Sequence, residues 1–439
     1  MEKIIFSKNY KQLNIDRLSY DLSKEIINIE NIHNNLKKTQ KCSECDTNLP
    51  IKIKKFKRID EQVNLSDIDN TFGRCDCGKR HLDIIMTHVL KIMKTEKVKL
   101  REYNLRNGPV PLLTPLTNNP HNIYLKNDSL IILHDNLTRD IAEIILEEVS
   151  EIKGVLKGNP KDTVGKLDAN SEENSYKILK GNDIRCDIIQ TPMGKIAINK
   201  VQHLSYIEFP NTSESKIVSI CNYLKSKNYS KEEISKLKVL DGTCGNGTLG
   251  IFLLKLGVKE VVFNDVWKPS TIMTLVNLEA NGFKMIKERF NQNKSEKWIE
   301  DSLNKVDFRN NIYSNKNNWN NKNNRNNKNN SYNINDNYNI NEGYNRNNSR
   351  NYNTKSKNRD KNLKIIKNNY ENFEISIGKN FRIYNFSLEE LYYKLKSYEF
   401  NKNSENKEFD ICILDCFPQV NTDEIKKIAE KIAVDILVI

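Results

Sequence analysis

Two acidic residues on either side of a glycine-rich turn carry the strongest chemical signal in the sequence. Leu237–Leu240 is a short apolar run ending in Asp241, and Gly242-Thr243-Cys244-Gly245-Asn246-Gly247-Thr248 follows it. Gly245 and Gly247 allow close approach of backbone to a ligand at a helix N-terminus, and a carboxylate at the tip of a second strand, Asp265, can accept hydrogen bonds from both hydroxyls of a ribose. The ligand expected there contains a nucleoside. Gly245 to Gly250 also matches the G-x-G-x-x-G pattern of dinucleotide sites, a weak signal by itself. Asp241 separates the two cofactors: a carboxylate at the end of the first strand repels a pyrophosphate but suits the cationic amino group and sulfonium of S-adenosylmethionine.

A second group of residues could hold a metal. Cys42-x2-Cys45 and Cys75-x-Cys77 are 29 residues apart, and each pair is short enough to form one knuckle, so four thiolates can converge tetrahedrally on Zn2+. Gly78 permits the tight turn after Cys77, and His81 is a reserve ligand. A closed four-sulfur site is structural and supplies stability that this Lys-rich segment cannot obtain from burial; the alternative is four unligated cysteines in a small core. Between the knuckles, Ile51-Lys-Ile-Lys-Lys-Phe-Lys-Arg58 reads as a basic strand, suited to phosphate backbones or to a solvated edge protected by lysines. Nine cysteines, an odd number in a long chain, speak against a disulfide framework and for reduced thiols. Cys186, Cys221 and Cys412 lie in apolar contexts and are expected in the core.

Periodicity predicts the elements that must position these groups. Leu249, Phe252, Leu253 and Leu256 recur with helical spacing after the glycine turn, and Gly257 sits where a C-terminal cap belongs. A second strand, Glu260–Phe263, ends in Asn264-Asp265, and Pro269 opens a helix with Ile272, Leu275, Val276 and Ala280 on one side. Further on, Asn380–Tyr384 reads as a third strand followed by Asn385-Phe386-Ser387, and Leu388–Leu395 as a helix. A fourth strand stands directly before Asp415-Cys416-Phe417-Pro418; Ile425–Ile432 reads as a helix and Asp435–Ile439 as a fifth strand. Upstream, Tyr20–Leu36 and Asp83–Met93 have helical spacing. The region from 120 to 210 alternates β-rich runs (Ile123–Leu125, Leu130–Leu133, Cys186–Gln190, Lys195–Asn199, Leu204–Phe209) with a helix, Asp140–Val149, and a polar loop, Lys157–Asn174.

These segments resemble the class I S-adenosylmethionine-dependent methyltransferases. Asp241-Gly-Thr-Cys-Gly-Asn-Gly-Thr248 is similar to the D-P-x-C-G-S-G-T first motif of amino-methyltransferases that act on DNA and RNA bases. Val261-Val-Phe-Asn-Asp265 and Asn277-Leu-Glu-Ala-Asn-Gly282 are similar to the second-strand acid and following helix of the tRNA guanine-N2 dimethyltransferases. Asp415-Cys416-Phe417-Pro418 resembles the fourth motif, usually D/N-P-P-Y/F, with Cys416 in place of the usual proline. The resemblance covers about 213–282 and 374–439. It implies that Asp241, Thr243, Gly245, Gly247 and Asp265 bind the donor, that Asn385 and Phe386 lie against its adenine, and that Asp415, Phe417 and Pro418 face the acceptor. The family's final two-strand hairpin is not expected here, and the hairpin Cys186–Gln190/Lys195–Asn199 around Pro192-Met193-Gly194 is the expected cover for that sheet edge, with pairing to a partner as the alternative.

Composition limits the remaining choices. The chain has 439 residues, 37% hydrophobic and 29% charged, and a net charge of +13. Ten Lys or Arg against three acids between Asn311 and Lys361 put +7 of that charge inside one Asn-dominated tract, about 291–372, which reads as a disordered insertion, either a neutral expansion or an RNA-binding arm. No apolar run approaches the roughly 18–20 residues that span a bilayer, and the first residues lack a signal-peptide stretch, so a cytoplasmic location is expected. The reading is an α/β protein in three parts: a helix and zinc-ribbon-like region (1–115), an α+β middle recognition region (116–210), and a Rossmann-like methyltransferase domain (211–439). RNA, with tRNA favoured, is the expected substrate; a protein methyltransferase and a non-catalytic RNA-binding scaffold are the alternatives.

Overall fold

The N-terminal half is built around buried side chains that take over backbone hydrogen bonds. The computed structural model describes residues 22–45, 51–117, 123–161, 176–283, 374–376, 380–398, 407–416 and 421–439. The Asn-rich tract from 291, up to the three residues at 374, and Phe417 and Pro418 lie outside the described residues, as does most of the loop expected at 157–174. Tyr20–Leu36, expected as one helix, is described from 22 as two short helical turns, Leu22–Glu25 and Ile32–Leu36, joined by a 3-10 turn at Ile29–Asn31. The break has a local cause: the backbone N–H and C=O of Ile27 are both taken by the Asn199 side chain, at 2.9 and 3.1 Å, which removes them from a helical ladder.

Next come β1 (Arg80–His81), α1 (Leu82–Thr95), β2 (Val110–Leu113), β3 (Tyr124–Leu125), β4 (Leu130–Leu133), α2 (Arg139–Glu148), β5 (Ile152–Lys157) and β6 (Lys177–Gly181). Four of these strands form a sheet in the order β2-β4-β5-β6, with α2 as the crossover between the parallel pair β4 and β5. Ile85, Val89 and Met93 repeat every four residues along α1 and join Ile145, Leu113, Leu116 and Val155 in one apolar core. Packing therefore continues across residue 115, where a boundary was expected.

Next is a hairpin, β7 (Ile184–Thr191) and β8 (Gly194–Val201), followed by α3 (Pro210–Ser226), β9 (Lys238–Asp241), α4 (Thr248–Leu256), β10 (Glu260–Asn264) and α5 (Lys268–Ala280). The remaining elements are β11 (Glu374–Ser376), β12 (Phe381–Tyr384), α6 (Leu388–Tyr398), β13 (Phe409–Leu414), α7 (Thr422–Ala429) and β14 (Ala433–Val438). They form a six-stranded sheet in the order β11-β12-β10-β9-β13-β14, parallel except for β11. The five parallel strands, numbered as the motifs occur, stand in the order 3-2-1-4-5, a doubly wound arrangement whose direction reverses beside β9. Alternate residues serve its two faces: Val239, Val261, Phe263, Ile411 and Ile413 pack on one side with α3 and α4, and Leu240, Val262, Cys412 and Leu414 on the other with α6 and α7.

Two expectations are corrected. The hairpin does not close the edge of the parallel sheet. It forms its own two-stranded sheet, and Ile189, Ile196 and Ile198 pack into the same layer as α3 and α4, while β14 is the edge strand beyond β13 among the described residues. The open side of β8 is covered by α5 and its C-cap: the Asn281 amide, directly after α5, bonds both backbone groups of Ala197 (3.0 and 2.7 Å), and the Asn277 amide bonds both of Asn199 (2.8 and 2.9 Å). Two side chains one helical turn apart thus replace a strand partner. Leu204–Phe209 is not a strand either. A 3-10 turn occupies Gln202–Leu204, and the carbonyls of Leu204 and Glu208 accept from the Trp267 indole and the Arg185 guanidinium instead of a neighbouring strand.

Gly250 brings α4 close to the sheet, because a Cβ there would lie 2.1 Å from Cε1 of Phe263. Gly250→Ala is expected to lower stability by about 1–3 kcal/mol through overpacking, read as a lower midpoint in chemical unfolding.

Candidate functional site

Parallel register brings the predicted residues to one edge of the sheet. Phe263 of β10 and Ile413 of β13 are both in register with Asp241, and Asn264 is in register with Tyr384. Asp241, Asp265, Asn385 and Asp415 therefore end or follow adjacent strands at their carboxyl ends, where ligands of doubly wound sheets bind. The glycine turn fills the space between the first two acids. Asp265 Oδ2 accepts from the Gly245 amide at 2.8 Å and its Oδ1 from Trp267 at 2.7 Å, while Asp241 Oδ2 accepts from Gly250, in the first turn of α4, at 2.9 Å.

Asp241 is 1% exposed, and its other oxygen, Oδ1, has no hydrogen-bond partner among the described residues. A buried carboxylate oxygen without a donor is costly. Burial, reinforced by Asp415 and Asp265, pushes the Asp241 carboxyl up to about 7, and burial pushes Asp265 up to about 6. Both would be relieved by a cation. Gly245 and Gly247 have φ of +52° and +84°, and a Cβ on Gly245 would meet nothing within 4 Å, so that side of the turn is open. On its other side the turn is held: Thr274 Oγ1 donates to the Gly245 carbonyl at 2.9 Å and Asn277 Nδ2 to that of Asn246 at 3.0 Å.

The remaining predicted residues divide. Thr243 Oγ1 accepts from the Asp415 amide at 2.8 Å and joins the ends of β9 and β13. Asn385 donates to the carbonyls of Asp265 (2.7 Å) and Val266 (3.1 Å), fixing the turn that carries the second acid. Phe386 is buried in the apolar layer with Tyr384, Leu388 and Leu391, so only its backbone borders the site; its carbonyl accepts from Asn264 at 3.1 Å. Asn264 was not singled out. Its amide also donates to Gly242 at 3.2 Å, linking the turns after the first and third strands. Its place beside Asp265 was the available signal.

Lys216 on α3 was also missed. Its Nζ lies 2.6 Å from both Asp415 Oδ2 and Glu208 Oε1, with all three side chains about a fifth exposed (21–23%). Asp415 is pushed up by burial and held back by Lys216. The segment that carries Glu208 is anchored from beneath by a buried group in which Arg185 and Lys200 both reach Asp187 Oδ2 at 2.7 Å. Burial and the Asp415 charge push the neighbouring Cys416 thiol up, which leaves it a poor nucleophile. Lys216→Met removes the charge that favours ionised Asp415, raising its pKa further. The loss of stability, about 1–2 kcal/mol for a pair that keeps some solvent contact, should be largest in urea unfolding at pH 8 and shrink as falling pH protonates Asp415 in the folded chain and removes a charged partner of Lys216.

Away from this edge, Cys42, Cys45, Cys75 and Cys77 converge with their sulfurs all within 4.8 Å of one another. Cys42 Sγ lies 3.4 Å from that of Cys45 and 3.7 Å from that of Cys75, and Cys45 Sγ lies 3.6 Å from that of Cys77. Tetrahedral Zn2+ with bonds of roughly 2.3 Å requires sulfurs about 3.8 Å apart, so the cluster fits that ion. The Cys42 amide donates to Cys45 Sγ at 3.3 Å, and Gly78, at φ +81°, turns the chain after the second knuckle. His81 is not part of the cluster; its Nδ1 caps α1 by accepting from Asp83 at 3.2 Å. Arg74 and Arg80 flank the second knuckle, and both reach Glu151 at the edge of β5, at 2.8 and 2.6 Å. The knuckles are thus docked on the middle sheet, and β1 pairs with β3.

No protein-family model matches the chain, and no curated protein matches it in sequence. Among solved structures it is similar to Pyrococcus horikoshii TYW2 in complex with MeSAdo (TM-score 0.25, 15% identity, 44% of this chain and 58% of that one). It is similar also to aTrm5 in its complex with tRNALeu (0.22, 12%, 39% and 43%) and to the M. jannaschii tRNA m1G37 methyltransferase (0.22, 12%, 39% and 44%). The matches span only 43–58% of the length of those three chains, and likeness at this level leaves the chemistry to be argued from residues. No helix among the described residues is long and apolar enough to cross a membrane.

Proposed function

We propose that the chain is an S-adenosylmethionine-dependent methyltransferase whose acceptor is RNA, with tRNA favoured. The observation that carries this reading is the buried Asp241 Oδ1, which has no hydrogen-bond partner among the described residues and stands beside a glycine turn open on one side. A cationic amino group supplies the missing donor and a favourable charge; a pyrophosphate supplies neither. Asp241, Thr243, Gly245, Gly247 and Asp265 would hold the donor, with Asp265 directed at the ribose through lone pairs its two backbone bonds leave free. Asn385 supports that turn. S-adenosylmethionine, when bound, supplies an electrophilic methyl group.

On the acceptor side, Asp415 offers a hydrogen-bond acceptor for an amine or ring N–H, its charged form favoured by Lys216 against the upward push of burial and its backbone held by Thr243. Phe417 and Pro418 are proposed beside it by their motif alone. Region 211–439 would carry the transfer, and the parts before it would recognise the substrate, with Zn2+ at Cys42, Cys45, Cys75 and Cys77 as a structural ion. The test is incubation of the purified chain with methyl-labelled donor and cell extract, with and without ribonuclease. Label in RNA that ribonuclease removes supports the reading; label in protein moves the acceptor to a polypeptide; no label and no heat on titration with S-adenosylhomocysteine refutes it.

A further inference from the structure

The segment between the cysteine knuckles was expected as a basic strand, and it is a tight turn instead. Lys57 N–H donates to the Lys54 carbonyl at 3.2 Å, and no strand ladder forms here among the described residues. The Gln62 amide fills the turn: its oxygen accepts from Lys54 N–H at 2.7 Å, and its nitrogen donates to the carbonyls of Lys54, Lys57 and Arg58 at 3.1, 2.8 and 3.2 Å. Ile53 and Ile59 anchor both ends in the interior at 5% and 0% exposure. The segment 103–106 grips the turn from one side, through Ile59 N–H to Tyr103, Arg106 N–H to Lys55 and the Asn104 amide to Phe56.

This well-held turn presents Phe56 at 75% exposure, the most exposed large apolar side chain among the described residues. Lys52, Lys54 and Lys57 stand exposed around it. The nearby acids are engaged elsewhere: Asp60 by Arg58 and Lys94, Glu61 by Arg58, and Glu102 by Asn104. What remains is an aromatic ring on a hydrogen-bonded turn beside lysines, Lys52, Lys54 and Lys57, that make no ion pair among the described residues. That combination fits a flat base and its flanking phosphates.

We propose that the turn 52–58 is a contact surface for single-stranded RNA, with Phe56 stacked on an unpaired base and Lys52, Lys54 and Lys57 on the phosphates. The assignment rests on RNA as the acceptor and adds a second point of attachment, remote in sequence from the glycine turn. The probe is a fluorescent oligo-uridine of twelve nucleotides, titrated by anisotropy against the full chain over a series of salt concentrations. Phe56→Ala should weaken binding roughly 5- to 150-fold, Phe56→Leu nearly as much, and Phe56→Trp little, since stacking rather than apolar area is lost. Replacing Lys52, Lys54 and Lys57 together by Gln should reduce the slope of log affinity against log salt by about 2.

All variants should keep the parent's unfolding midpoint and its affinity for S-adenosylhomocysteine, because the turn's hydrogen bonds come from backbone, Gln62 and Asn104 and not from the replaced side chains. Unchanged oligonucleotide binding in both Phe56→Ala and the triple variant overturns the proposal. So does loss in those variants of binding to anionic phospholipid vesicles but not to RNA, which would make the turn a membrane contact. If S-adenosylhomocysteine fails to bind while Phe56→Ala still weakens RNA binding, the methyltransferase reading falls and this surface stands.

Discussion

Asp241→Asn is expected to weaken S-adenosylhomocysteine binding about 30- to 1,000-fold, roughly 2–4 kcal/mol, while leaving the ligand-free protein at least as stable as the parent. Asparagine keeps an oxygen for the Gly250 amide but replaces the unpartnered carboxylate oxygen by an amide that cannot neutralise a cation. The stability effect has a definite sign. The Asp241 carboxyl stands at about 7 in the folded chain against 3.8 for an exposed group. It therefore costs stability progressively as pH rises through that interval, and the cost is absent below it. The variant should gain most over the parent at pH 8 and least at pH 4, in thermal unfolding without ligand.

Binding runs the other way. The ionised form is the partner of a cationic ligand, so parental affinity should rise about tenfold from pH 6 to pH 8, and that dependence should flatten in Asp241→Asn. Calorimetry at the two pH values, in buffers of different ionisation enthalpy, checks both the affinity and the proton released. Equal binding by parent and variant would remove the electrostatic basis of the donor assignment.

The second large effect is expected at the cysteine cluster. Cys45 is fully buried against the other three sulfurs, and Cys45→Ala should reduce bound zinc from about one ion per chain to near zero. Structural zinc sites hold apparent binding free energies on the order of 10–16 kcal/mol, and much of that is folding free energy of the surrounding segment. Loss should reach beyond the knuckles, because Arg74 and Arg80 are clamped on Glu151 beside β5. Fast hydrogen exchange is expected through 51–81, with a lower unfolding midpoint, and a strong chelator should reproduce both in the parent. Elemental analysis of protein purified without chelator decides the case. Absence of zinc, with parent and Cys45→Ala equally stable, would leave four plain thiols in a small core.

Much of the site was legible because its signals are local. The apolar run before Asp241, the glycines at positive φ and the acid after the second strand each follow from the conformation of a few consecutive residues. The same holds for the short spacing within each cysteine pair. The five parallel strands were recognisable from apolar runs closed by polar or glycine-containing turns, and their order follows from the doubly wound connections.

Other features depended on groups distant in sequence. Lys216 meets Asp415 across 199 positions, and Asn199 meets Asn277 across 78 and Ile27 across 172. No periodicity encodes such pairs, since a buried amide or ammonium takes whichever partner the packed elements bring within reach. For the same reason the hairpin went to a helix rather than to the sheet edge, Phe386 went to the core rather than the cleft, and the basic segment became a turn. The sequence by itself determined the glycine turn, its two acids, the strands beneath them and the four thiols, because each is a short-range pattern. Only the tertiary structure decided how Asp415 is paired and held, what covers β8 and that Phe56 is exposed, because those depend on contacts between segments that the chain order does not place side by side.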